Sequence, residues 1–245
     1  MASQRVRPII VNDLLETIFT GEARALHASA ARWCAVSPRF PAFLETYRDK
    51  IRKKLRNAPD AEGLRDLQME LLTAACLLTE RAFTLDYEKY AASKVRGPDF
   101  TVLYKTHTPF NVEVKRLRGQ AQTGKWADVL CDKLRQLPPS VMNALVIYGG
   151  PEERGAPFDA SVAMASLRAT AERKDDAYFT RRGLEGARDY LRQSLKLSAV
   201  VYRAGDTALA DWFNPQARHP LPAELRAALP RSLGAIALEG DTAHG

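Results

Sequence analysis

Cysteine is scarce in this chain of 245 residues: Cys34, Cys76 and Cys131 are an odd number and form no CxxC pair. That argues against a disulfide framework and against a cysteine zinc site. Long apolar runs are lacking as well. The longest, Leu71 to Leu78, falls far short of the roughly 18 residues that a membrane span requires. After Arg5 and Arg7 only Pro8-Ile9-Ile10-Val11 are apolar, too few for a secretory h-region. The histidines (His27, His107, His219 and His244) have no metal-ligand spacing, so a zinc site is not expected. Ser37, Ser140 and Ser161 lie in no GxSxG context. Neither an internal repeat nor a low-complexity tract is found. The expectation is a soluble, cytoplasmic protein without a membrane partner.

What the chain does contain is core-forming material and positive charge. Hydrophobic residues make up 46% and charged residues 27%, a composition that can bury a core. The 36 basic and 29 acidic side chains give a net charge of +7. Residues 1–60 carry 11 basic and 6 acidic groups, and residues 101–140 carry 7 and 3, whereas 141–245 are balanced at 13 and 13. A basic excess confined to two regions suits an anionic partner such as nucleic acid. On charge alone, a well-solvated surface is the simpler account.

Periodicity divides the chain into three parts. Residues 1–60 read as a helical N-terminal arm: one helix from Asp13 capped by Asn12 and broken by Gly21, a second over 22–36, and a third from Pro41. Phe43, Leu44, Tyr47, Ile51 and Leu55 form one stripe of that third helix. Its other face holds Arg48, Lys50, Arg52, Lys53, Lys54 and Arg56. That face either lies along a duplex or is simply the solvated side of an amphipathic helix. Asn57-Ala58-Pro59-Asp60 ends the arm. Residues 61–150 then read helix, three strands, helix, strand: an α/β core. The strands are expected over 84–90, 100–104, 110–115 and 144–148, and the second helix over 125–137. Residues 151–245 are expected to pack on that core, with helices over 160–173, 178–195 and 223–229, a strand over 198–203, and a loose tail.

The chemistry gathers on the second and third strands. With the loop 105–109 joining them, Tyr104 is expected opposite Phe110 and Asp99 opposite Lys115. Phe100, Val102 and Tyr104 then share an apolar face with Phe110, Val112 and Val114, while Asp99, Thr101, Glu113 and Lys115 share the other. Two carboxylates held close repel each other unless a cation lies between them, and hard oxygen ligands select magnesium or manganese. Such an ion can bind a scissile phosphate and acidify a water. Lys115, two residues beyond Glu113, projects from the same face and can hold that water. The plainer alternative is a surface salt bridge in which Lys115 neutralises Glu113.

Pro98-Asp99, the fourteen positions to Glu113, and Glu113-Val114-Lys115 together resemble the PD-(D/E)XK nuclease superfamily. The element order over residues 61–150 is similar to that family's αβββαβ core. The resemblance implies an α/β, restriction-endonuclease-like fold with a mixed sheet, and Mg2+- or Mn2+-dependent hydrolysis of DNA in repair, restriction or defence. It implies Asp99, Glu113 and the intervening Val114 as metal ligands, Lys115 on the nucleophile, and Glu70 on the preceding helix as the assisting acid. Lys133 and Gln136 match the polar residues that the following helix contributes and are expected to face nucleic acid. Arg116, Arg118 and Lys125 flank the motif and are candidates for backbone phosphates. Many such enzymes act as homodimers, and some members of the superfamily keep the fold without activity. A nuclease-fold module that binds DNA or a partner is therefore the rival reading.

Gly119-Gln120-Ala121-Gln122-Thr123-Gly124-Lys125 matches GxxxxGK, but Trp126 stands where a phosphate-binding loop needs serine or threonine. Nucleotide hydrolysis is accordingly the third choice. Trp212-Phe213-Asn214-Pro215 and His219-Pro220-Leu221-Pro222 are expected to be turns packed on the core.

Overall fold

The computed structural model describes residues 10–89, 97–117, 123–149, 159–204 and 208–237. The chain divides into two compact units, Met1–Thr79 and Glu80–Gly245. The boundary places the helix 61–77 with the N-terminal helices, whereas periodicity groups it with residues 61–150.

The first unit is helical: α1 (Val11–Ile18), a short 3-10 turn (Gly21–Arg24), α2 (Ala25–Val36), α3 (Phe40–Thr46), α4 (Arg48–Asn57) and α5 (Ala61–Leu77). Gly21, at φ +60°, breaks the chain after α1 as its type permits. The expected single helix from Pro41 is two, because Tyr47 leaves helical geometry (φ −107°, ψ 15°). Hydrogen bonds from Tyr47 N–H to Phe43 and from Ile51 N–H to Tyr47 bridge the break. The stripe therefore survives it, with Phe43, Leu44 and Ile51 buried. Asp60 caps α5 by accepting from Gly63 N–H at 2.8 Å. The Arg39 guanidinium donates twice to the Leu78 carbonyl, at 3.0 and 2.8 Å, closing the C-terminal end of α5.

The second unit is built on one six-stranded mixed sheet, ordered β1 (Phe83–Tyr87), β2 (Phe100–Tyr104), β3 (Thr108–Arg116), β4 (Met142–Tyr148), β5 (Ala199–Ala204) and β6 (Ala208–Phe213). β1, β2 and β3 form an antiparallel meander, β3, β4 and β5 run parallel, and β6 returns antiparallel. The parallel strands are covered on both faces, so residues 143–148 and 199–204 are buried without alternation. α6 (Thr123–Gln136), α7 (Ala160–Glu172) and α9 (Ala187–Ser194) cover one face, where Trp126, Leu130 and Tyr190 pack on Leu145, Ile147 and Val200. α10 (Ala223–Leu233) packs against β6, and its Glu224 accepts from Tyr104 O–H at 2.9 Å and from Lys105 at 2.6 Å.

The sheet corrects several expectations. The β2–β3 turn is Lys105-Thr106-His107, with Lys105 and Thr106 at φ +47° and +68°, so Tyr104 pairs with Thr108 rather than Phe110. Pro109 belongs to β3, not to the turn. It is tolerated because β4 first pairs with β3 at Phe110, so no ladder hydrogen bond toward β4 is required of it. The register slip is two residues, an even number, and leaves every side chain on its expected face. The expected helix over 178–195 is α8 (Asp176–Thr180) and α9, separated at Gly183 and Gly186. A Cβ on Gly186 (φ +155°) would stand 2.7 Å from the Asp176 carboxylate, which accepts from Ala187 N–H. Trp212 and Phe213, expected in a turn, end β6. The three cysteines are free and buried. Among the described residues no helix is long and apolar enough to cross a membrane.

A buried polar seam ties the sheet together at the start of the parallel strands. Thr101 O–H donates to Asn111 at 3.2 Å, and Asn111 donates to Asn143 at 3.0 Å. The Asn143 amide donates in turn to the carbonyls of Pro138, Val141 and Lys196, each at 2.9 Å. Asn143 is wholly buried, so replacing it strands several carbonyls in the core. Asn143→Ala is expected to lower stability by about 3 kcal/mol, measured by urea denaturation of the full chain.

Candidate functional site

Of the residues singled out in the sequence, Asp99, Glu113, Lys115 and Lys133 belong to the second unit and lie where β2, β3 and α6 meet. β3 carries Asn111, Glu113 and Lys115 on the face toward α6. Continuing the observed β2–β3 register by one residue sets Asp99 opposite Glu113, not opposite Lys115 as expected. The ends of both strands are anchored there. Asp99 C=O accepts from Glu88 N–H at 2.8 Å beside β1, and the Asp99 carboxylate accepts from Val114 N–H at 2.7 Å. Asp99 thus meets β3 at the residue between Glu113 and Lys115.

The same register puts Pro98 opposite Val114. In an antiparallel pair, the N–H and C=O of one residue point to the same neighbouring strand. The carbonyl of Val114 therefore faces the position of Pro98, which has no N–H to give it. The Val114 carbonyl is left without a ladder donor at the point where two carboxylates converge. Its side chain points the other way and is buried.

Glu113 is 6% exposed, and its charge is balanced by the Lys133 ammonium, which reaches down from α6 and hydrogen-bonds its carboxylate. The Glu113 and Lys133 side chains keep only 7% and 10% of their surface, so the pair is a buried one. Lys133, expected to face nucleic acid, instead lies on Glu113. Lys115 is half-buried one step along the same strand face. Asp99, Glu113, Lys115 and Lys133 sum to zero formal charge. Burial pushes the Cys131 thiol of α6 up to about 12, so no thiolate nucleophile is at hand in that helix.

Glu70, Gln136, Arg116, Arg118 and Lys125 are the remaining candidates. Glu70 is on α5 in the first unit, where its carboxylate accepts from Lys54 at 2.6 Å. Gln136 donates to Asp132 one helical turn back at 3.0 Å. Arg116 is half-buried on the β3 face opposite Lys115. Arg118 lies outside the described residues, as do the side chain of Lys125 and most of the glycine-rich stretch 119–124. Among the described residues, no group of three or more His, Cys, Asp or Glu side chains is gathered to hold a metal. Two carboxylates and a main-chain carbonyl are nevertheless hard oxygen donors of the kind that magnesium takes, and the donor set fits such an ion provided Lys133 yields Glu113.

Sequence places Lys133 among the polar residues of the helix after the motif but does not pair it with Glu113. A signal for it does exist: α6 is amphipathic, and Lys133 lies three residues from Leu130 and four from Leu137, on the helix face that is buried. Comparison with known proteins finds no matching family model, no matching curated protein and no matching solved structure.

Removing one partner of a buried ion pair leaves an uncompensated charge. Lys133→Met is expected to destabilise the chain by about 3–5 kcal/mol at neutral pH, and Glu113→Leu combined with Lys133→Met to recover most of that loss. Equilibrium denaturation of the single and double variants measures both.

Proposed function

We propose that this protein is a magnesium- or manganese-dependent nuclease that hydrolyses phosphodiester bonds in DNA on a restriction-endonuclease-like core. The observation that carries the reading is the hydrogen bond from Val114 N–H to the Asp99 carboxylate. It draws the aspartate of Pro98-Asp99 onto the strand segment Glu113-Val114-Lys115, so the separated halves of the motif become neighbours. The element order α5, β1, β2, β3, α6, β4 and the antiparallel-then-parallel pairing of β3 support it further.

The division of labour follows from chemistry and position. Asp99, Glu113 and the Val114 carbonyl would hold the ion, and the ion when bound supplies charge for the scissile phosphate and acidity for a water. Lys115 would hold that water by donating an ammonium N–H to its oxygen, on the face of β3 that carries Glu113. Lys133 stabilises the Glu113 carboxylate in the buried site and would have to release it for the carboxylate to hold an ion.

The buried Glu113–Lys133 pair also favours a second reading, a nuclease-fold module that binds DNA or a partner without cutting, because an ammonium satisfies the carboxylate there. Cleavage separates the two. Purified protein with Mg2+ or Mn2+ is expected to nick or degrade plasmid, linear or single-stranded DNA. Asp99→Ala and Lys115→Ala are expected to reduce the rate by about 100-fold or more with unchanged circular dichroism. In calorimetry, wild type is expected to bind Mn2+ and Glu113→Gln to bind it at least about 10-fold more weakly. Wild-type protein that binds DNA yet cuts none of these forms with either metal establishes the second reading instead.

A further inference from the structure

The most concentrated charge in the described structure lies outside the candidate site, on α4 of the first unit. Its ten residues, Arg48 to Asn57, hold six cations and one acid. Three of those cations are committed. Arg48 lies 3.4 Å from Glu45 and 3.8 Å from Asp49, Lys54 donates to Glu70 at 2.6 Å, and the Lys50 ammonium is 5.6 Å from the centre of the Tyr47 ring. Arg52, Lys53 and Arg56 have no hydrogen bond or ion pair among the described residues. A folded chain leaves three adjacent cations uncompensated at an electrostatic cost, since each repels the others.

Their arrangement is directional. Arg52 and Arg56 are four residues apart, so they project from one side of the helix about 6 Å apart along its axis. They flank an open recess of about 280 Å3 whose other walls include Ile18, Thr20, Ala23 and Leu64. Among the described residues no carboxylate lines it. Ile51, on the far side of α4, is fully buried, which anchors the helix and holds the basic face outward. Guanidinium forks pair with phosphate through two donors at once, so an arginine pair along a helix suits a repeated phosphate better than a single small anion.

We infer that the Arg52–Lys53–Arg56 face of α4 is a second nucleic-acid contact, which docks the phosphodiester backbone of a DNA duplex independently of the cluster at Asp99 and Glu113. A membrane surface fits less well. Interfacial helices expose large apolar side chains beside their cations, and the exposed large hydrophobics of the described structure are Ile10, Val36 and Val162, none of them on α4. The choice of DNA among polyanions rests on the proposed function; the existence of an anion-docking face rests on α4 alone.

The test is fluorescence anisotropy of a labelled 30-base-pair duplex with the full chain in EDTA, so that no cleavage occurs. Salt is varied, and phosphatidylserine vesicles and polyglutamate are run in parallel. Wild type should bind the duplex in preference to both. Replacing Arg52, Lys53 and Arg56 with Gln together should weaken binding at least about 10-fold and reduce the slope of log K against log salt by about 2 to 3. Arg52→Lys with Arg56→Lys should retain most of the binding, which shows that charge rather than folding is being read. The triple variant should keep the wild-type circular dichroism spectrum, so that lost binding is read as lost charge. An unchanged slope in the triple variant overturns the α4 contact and leaves the nuclease reading intact. Equal or preferred binding to vesicles or polyglutamate overturns the assignment to nucleic acid.

Discussion

The hydrogen bond between the Asp99 carboxylate and Val114 N–H is the joint on which the candidate chemistry depends. The sheet ladder can hold β2 to β3 only as far as main-chain groups face one another, and Pro98 ends that ladder for want of an N–H. The carboxylate of Asp99 takes the next N–H of β3 itself. Proline and aspartate therefore act as a pair: one removes a donor and frees a carbonyl, and the other brings an acid to the same place. Register sets Asp99 opposite Glu113, and this joint fixes the Asp99 carboxylate against β3 beside it.

Burial decides what can then happen at Glu113. α6 closes over the polar face of β3, and a carboxylate left alone there would be costly. Lys133 removes the cost. The cluster at rest is consequently neutral and satisfied, and its two remaining charges, Asp99 and Lys115, lie where strand ends meet the surface. An incoming divalent ion would have to do better than an ammonium at one of its two carboxylates.

The basic excess has a similar division. Around residues 101–140, part of it is spent internally, since Lys133 serves Glu113 and Lys105 serves Glu224. On α4, three cations serve nothing within the described chain. Charge counted along a sequence cannot distinguish these cases, because an ion pair is made between residues far apart in order, such as Lys105 and Glu224.

Local patterning was sufficient for much of the architecture. Alternation in 100–104 and 110–115, the apolar run of 144–148 and the helical stripes of α5 and α6 are properties of neighbours in the chain, and period alone reveals them. The apolar and polar faces of the hairpin were legible for the same reason, and a two-residue slip could not reverse them. Register, by contrast, was set by a three-residue turn with two left-handed residues, a backbone choice that Lys105 and Thr106 do not advertise. β6 was hidden because its strand exists only by pairing with β5. Which cation meets Glu113, and that Glu70 pairs with Lys54, are matters of packing between distant segments. Sequence by itself determined which faces are apolar and where the acids stand on them, since side-chain direction follows from backbone period. Only the tertiary structure decided their partners, because contact across a fold is made by helices and strands whose approach no single segment encodes.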